Sequence, residues 1–75
     1  MLQRSKVLAQ LGRNIRQHRE ARGLTQEKLA EKAGLDPTYI SGIERGRRNP
    51  GIWNVVQLAD ALELTAAELL AEVDA

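Results

Sequence analysis

Residues 23–46 read GLTQEKLAEKAGLDPTYISGIERG, and this stretch decides the fold. It holds two short helical segments separated by Gly34-Leu35-Asp36. Thr25 stands where an N-cap belongs, since its hydroxyl can accept from an amide of the first helical turn. Gln26 to Ala33 then buries Leu29, Ala30 and Ala33, at helical spacings. Gly34 closes this segment, which is only about two turns long. Asp36-Pro37 restarts the chain, aspartate as N-cap and proline at the first helical position, where its missing N–H leaves no acceptor unsatisfied. Ile40 and Ile43 are the inward residues of the second segment, and Gly46 is its stop.

The same periodicity extends outward from this pair. Upstream, a helix is expected from about Ser5 to Arg22, with an apolar stripe of Leu8, Leu11 and Ile15, His18 next in line, and Gly23 at its end. Downstream, Arg47-Arg48-Asn49-Pro50-Gly51 must be a loop, because Asn-Pro-Gly breaks helix and strand alike. A fourth helix is expected from about Ile52 to Leu62, burying Ile52, Val55, Leu58, Ala59 and Leu62. Thr65-Ala66-Ala67-Glu68 is a capping box that opens a short fifth helix with Leu69 and Leu70 on its apolar side. No stretch alternates apolar and polar residues long enough for a strand. The sequence therefore predicts an all-α, five-helix domain spanning residues 1–75.

Composition excludes several kinds of chemistry. There is no cysteine and one histidine, so disulfides, thiolate nucleophiles and multi-histidine metal sites are ruled out. No general acid–base pair or phosphate-cradling glycine loop is present, and the acids are spread along helix surfaces, so no enzyme, cofactor or metal is expected. No apolar run approaches the ~20 residues of a membrane span, and MLQRSKVLAQ lacks the apolar core of a secretory signal. A soluble protein of the cytoplasm is the expectation.

The net charge of +1 conceals a division along the chain. All 11 lysines and arginines lie in residues 1–50, against five acids, whereas residues 51–75 carry five acids and no base. Either these are solvated helix surfaces, or one end of the molecule faces an anion.

Two short helices joined by a tight turn are the helix-turn-helix arrangement, whose second member enters the DNA major groove. On a wheel of residues 36–47, Ile40, Ile43, Glu44 and Arg47 fall on one side and Thr38, Gly42 and Arg45 opposite, with Ser41 at the margin. The outward face is small and polar, which permits close approach to a surface.

At this point residues 12–62 resemble the lambda-repressor/Cro-type (Xre-like) helix-turn-helix family. GLTQEKLAEKAGL and YISGIERGRRNP carry the resemblance, and the second piece, with Asp36 and Thr38, is similar to restriction–modification controller proteins. The family-like core extends over residues 12–70. The resemblance implies a DNA-binding transcriptional regulator with its recognition helix at about residues 37–45. Thr25 and Gln26 then open the helix that approaches a phosphate, with Gln26 also bracing base-reading side chains, and Thr38, Ser41 and Gly42 take base-facing positions. Tyr39 either brings its hydroxyl to the DNA or packs on the flank. Arg45, Arg48 and Asn49 grip phosphates from the loop, with Arg47 turned back toward the core. Arg19 and Glu44 are similar to an internal ion pair that orients the recognition helix.

Three positions depart from the family pattern. Pro37 replaces an arginine or glutamine, removing a base contact worth about 1–3 kcal/mol and shifting specificity toward DNA shape. His18 replaces a leucine, and Gly51 a capping serine or threonine. Gly42 inside a helix also costs about 1 kcal/mol relative to alanine, which close approach to DNA would offset.

The resemblance further implies dimerisation through the fourth and fifth helices, here through Trp53, Val56, Leu64, Leu69 and Leu70. Occupancy of a palindromic operator would act by blocking or recruiting RNA polymerase. A different reading of the same fold is an antitoxin or adaptor whose partner is another protein.

Overall fold

The computed structural model describes residues 1–75 and contains five helices: α1 (Arg4–Ala21), α2 (Gln26–Ala33), α3 (Pro37–Glu44), α4 (Ile52–Ala61) and α5 (Ala66–Leu69). Most boundaries follow from local capping chemistry. The Thr25 hydroxyl accepts from the Lys28 amide at 3.0 Å, and the Asp36 carboxylate accepts from the Thr38 amide at 2.7 Å. Thr65 and Glu68 form a reciprocal capping box, each side chain accepting from the other's backbone N–H. Gly34 closes α2 with φ of 71°, a left-handed conformation that glycine adopts without Cβ strain, and the chain re-enters α3 three residues later. The ends of α1 and α4 each lie about one residue inside the expected limits.

One apolar cluster holds the helices together. Ile15, Leu29, Ile40, Leu58, Leu62 and Leu69 are fully buried, with Leu11, Ala30, Ala33, Ile43, Val55 and Ala59 around them. Burying each large aliphatic side chain contributes roughly 1.5–3 kcal/mol, which compensates for helices as short as α2, α3 and α5. α2 packs on α3 and α4, α1 backs α3 and α5, and α4 packs on α5. α1 comes so near α3 that a Cβ placed on Gly12 would lie 2.5 Å from the carbonyl oxygens of Ile43 and Glu44. α1 thereby serves as the platform that sets the attitude of α3.

Polar groups inside this core are paired. Asn14 on α1 is buried and donates to the carbonyls of Leu69 at 2.8 Å and Ala71 at 2.7 Å, satisfying acceptors that the end of α5 leaves free. Gln10 donates to the Asn14 carbonyl oxygen at 2.8 Å and fixes its amide orientation. No buried side-chain polar atom lacks a partner.

Three side chains sit differently from expectation. Ile52 is 70% exposed rather than buried, because at the first position of α4 it shares the outer side of Val56, and Pro50 takes the buried place just before the helix. Leu69 is fully buried within the single chain. In a one-turn helix only one of the adjacent pair Leu69-Leu70 can point inward, so Leu69 belongs to the core and not to a surface for a second copy. Arg47 is exposed rather than turned inward. α3 ends at Glu44 and the chain turns at Gly46, φ 72°, so helical geometry does not extend to Arg47.

Candidate nucleic-acid interface

The outward face of α3 and the loop after it form one polar surface. Pro37 and Thr38 are exposed, and Ser41 and Gly42 are half-buried at its margin. Arg45, Arg47, Arg48 and Asn49 follow, all exposed, and none of the three arginines makes an ion pair within the chain. Thr25 is exposed and Gln26 half-buried at the start of α2. Of the residues expected to face DNA, Thr25, Pro37, Thr38, Arg45, Arg48 and Asn49 are exposed and Gln26, Tyr39, Ser41 and Gly42 half-buried, and Arg47, expected to turn inward, is exposed as well.

Beneath this surface lies a network that fixes its geometry. The Arg19 guanidinium donates from Nε to Glu44 Oε2 at 2.7 Å and from Nη2 to Oε1 at 3.0 Å, a bidentate pair, while Nη1 donates to the Leu24 carbonyl at 2.8 Å. Both side chains are nearly covered, at 11% and 3% exposure. The hydrogen bond to Glu44 holds the Arg19 pKa above the usual arginine value, against the opposing effect of burial. Gln26 Nε2 donates to the same Glu44 Oε1 at 3.0 Å. One carboxylate at the end of α3 thus ties α1, α3 and the first residue of α2 together. The ion pair was legible from sequence, but Gln26's attachment to it was not, because it depends on how α2 and α3 cross. With its amide nitrogen turned inward, the Gln26 side chain leaves its oxygen as the free polar atom.

Tyr39 is half-buried, and its hydroxyl donates to Asn54 Oδ1 on α4 at 3.2 Å. The Arg48 guanidinium lies over the Tyr39 ring, 5.6 Å from its centroid. At Gly42 the helix lies close to the Arg48 stem: a Cβ there would lie 2.6 Å from Arg48 Cγ. His18 is half-buried beside Arg22, its Nδ1 3.4 Å from Arg22 Nη1.

A second surface is apolar. Ile52 and Trp53 are 70% and 71% exposed and Val56 is 43% exposed, all on α4. Trp53 and Val56 border a groove of about 400 Å³ that Lys32, Ala33, Gln57 and Asp60 also line. Leu64 and Leu70 are half-buried nearby in sequence and pack on the core. A larger groove of about 720 Å³ lies between the start of α1 and residues 72–75 and includes no residue of α2 or α3. No group of histidine, cysteine, aspartate or glutamate side chains is arranged to hold a metal ion, and no helix is long and apolar enough to cross a membrane.

Two short crossed helices with a basic, small-residue outer face define a helix-turn-helix DNA-binding protein. Comparison with known proteins agrees: the helix-turn-helix family model HTH_3 matches residues 15–69. The chain belongs to this family of DNA-binding transcriptional regulators. The helix-turn-helix-type transcriptional regulator y4dJ of Sinorhizobium fredii is 39% identical over 64 residues, covering 85% of this chain and 83% of the relative. Control protein C.SmaI of Serratia marcescens is 42% identical over 60 residues, covering 80% of this chain and 71% of the relative. The crystal structure of the restriction–modification controller protein C.AhdI from Aeromonas hydrophila superposes with a TM-score of 0.81 at 45% identity, covering 83% of this chain and 94% of that one.

Proposed function

We propose that the protein binds a palindromic operator as a homodimer, with α3 of each protomer in the major groove of one half-site. The observation that carries this reading is the union, on one surface, of the small outward side chains of α3 with the unpaired guanidiniums of Arg45, Arg47 and Arg48. Small side chains let the helix backbone approach base edges, where Thr38 and Ser41 supply hydroxyls that donate or accept. Pro37 supplies no hydrogen-bond donor from side chain or backbone, so part of the specificity comes from DNA shape. The loop arginines and Asn49 hold phosphates and set the register, with the amides at the start of α2, beside Thr25 and Gln26, offering a further anion contact.

The partner for the apolar face of α4 is a second copy of this chain. Ile52, Trp53 and Val56 form its centre, the half-buried Leu64 and Leu70 are proposed to add to it, and Lys32 and Asp60 line the groove with opposite charges that a two-fold contact can pair crosswise. Such a dimer sets half-site centres about 34 Å apart, one turn of DNA. The likeness to C.SmaI and C.AhdI supports the further reading of a controller that regulates a restriction–modification operon from the cytoplasm. Bound at a promoter, it acts by blocking or recruiting RNA polymerase, without cofactor or catalysis.

Selection of bound duplexes from a random pool, at two salt concentrations, tests the proposal. Enrichment of a palindrome with half-sites one turn apart is the expected result. Unselective binding that disappears with salt would mean that the arginines hold phosphates without any base readout. The apolar face would then be sought in complex with another protein.

A further inference from the structure

We infer that Asn54, on α4 and outside the helix-turn-helix, is a positioning residue for DNA recognition: it fixes Tyr39, and Tyr39 fixes Arg48. The inference rests on the reading of α3 and its following loop as the DNA face.

The chain of contacts is short. Arg48 sits 5.6 Å above the Tyr39 centroid, within the range of a cation–π interaction. Its aliphatic stem lies against α3 at Gly42, where an added Cβ would come 2.6 Å from Arg48 Cγ and displace the side chain. The Tyr39 ring is held in turn at its far end, by the hydroxyl's donation to Asn54 Oδ1 at 3.2 Å. Asn54 is oriented for this role because its Nδ2 donates to Gln57 Oε1 at 2.8 Å, which leaves the carbonyl oxygen facing the tyrosine. α3 and α4 share no extensive packing, and the Tyr39–Asn54 bond is the one hydrogen bond that joins them. Without it, nothing polar sets the ring's position relative to α4.

This arrangement also defines what Tyr39 does. In the free protein the hydroxyl proton is directed to Asn54 Oδ1, and the face of the ring is turned to Arg48. Tyr39 acts as a platform for Arg48. A long arginine side chain ordered before DNA arrives loses less rotamer entropy on binding, so its contact contributes more to affinity. Asn54 thus extends the functional site beyond the helix-turn-helix into α4, next to Trp53 on the apolar face.

The test combines two readouts on the full chain. In the free protein, proton NMR of the Arg48 δ-methylene reports the ring current of Tyr39. An upfield shift is expected in the wild type, reduced in Asn54→Ala and in Tyr39→Phe, and abolished in Tyr39→Leu. On a duplex recovered by selection, Asn54→Ala and Tyr39→Phe should each weaken binding by about 2- to 10-fold, the loss expected for one hydrogen bond. The double variant should bind no worse than either single one, since both remove the same bond. An unchanged Arg48 shift in Asn54→Ala would overturn the inference, and so would a second full loss of affinity in the double variant. If no duplex is enriched, the DNA reading itself fails, and the Arg48 shift alone still decides whether Asn54 positions the guanidinium.

Discussion

The face formed by α3 and residues 45–49 and the face formed by α4 are ordered in opposite ways. On the first, polar groups are tied before any ligand arrives: beneath the surface Glu44 is held by Arg19 and Gln26, and on it Arg48 lies against Tyr39. On the second, Ile52, Trp53 and Val56 stand exposed with no covering element. The contrast fits what each face is proposed to bind. Phosphates and base edges are recognised by directional bonds from long side chains, which bind well only if their geometry is set in advance. Apolar burial is non-directional and needs area and shape, so an exposed patch on a stable helix suffices until a partner covers it.

The contrast can be broken most severely at Glu44. Glu44→Ala leaves the Arg19 guanidinium buried without its partner and frees Gln26, and a loss of about 3–5 kcal/mol in urea unfolding is expected. Glu44→Gln keeps an acceptor for both neighbours and should lose less. A loss below about 1 kcal/mol for the alanine variant would show that the network does not order this face. On the other side, Trp53→Ala should leave the stability of the monomer unchanged while weakening self-association by about 2 kcal/mol or more, as measured by sedimentation equilibrium. A large loss of monomer stability would instead place the tryptophan in the fold.

Gly12→Ala acts between these extremes. The new methyl group meets the carbonyl oxygens of Ile43 and Glu44, so α1 and α3 must separate, at about 1–3 kcal/mol in thermal unfolding. Because the change tilts α3, DNA affinity should fall while self-association is kept. The smallest effect concerns acid. Backbone and side-chain hydrogen bonds from Thr65 hold the Glu68 carboxyl below its ordinary pKa. A carboxyl whose folded pKa is depressed contributes stability that is complete above its unfolded value and is lost as pH falls through the folded value. Stability should therefore decline slightly on acidification through and below the usual carboxylate range, and Glu68→Gln should flatten that part of the profile.

The helices were legible in the sequence because their limits depend on neighbours a few residues apart: Thr25, Asp36 and the Thr65–Glu68 box all act locally. The outward side of α3 was legible for the same reason, since it follows from helical periodicity. What the sequence did not reveal depends on distant parts of the chain. Gly12 looks like any helical glycine until α3 is laid across it, and Asn14 like a surface residue until the end of α5 presents carbonyls to it. Ile52 and Leu69 exchanged their expected roles because periodicity identifies an apolar residue without saying whether another element lies opposite it. A helical wheel turns Arg47 inward only if α3 continues past Glu44, where it stops. The sequence allows Tyr39 either a DNA contact or a packing role, and its bond to Asn54 depends on the relative placement of α3 and α4.

The central claim is that the two faces act together, one reading a half-site and the other supplying the second reader. Sedimentation of a selected operator duplex with increasing protein, for the wild type and for Trp53→Ala, tests it most directly. The account predicts two protomers per duplex bound cooperatively in the wild type, with cooperativity lost and half-site affinity retained in the variant. A single protomer bound per duplex, with the same affinity in both proteins, would contradict it.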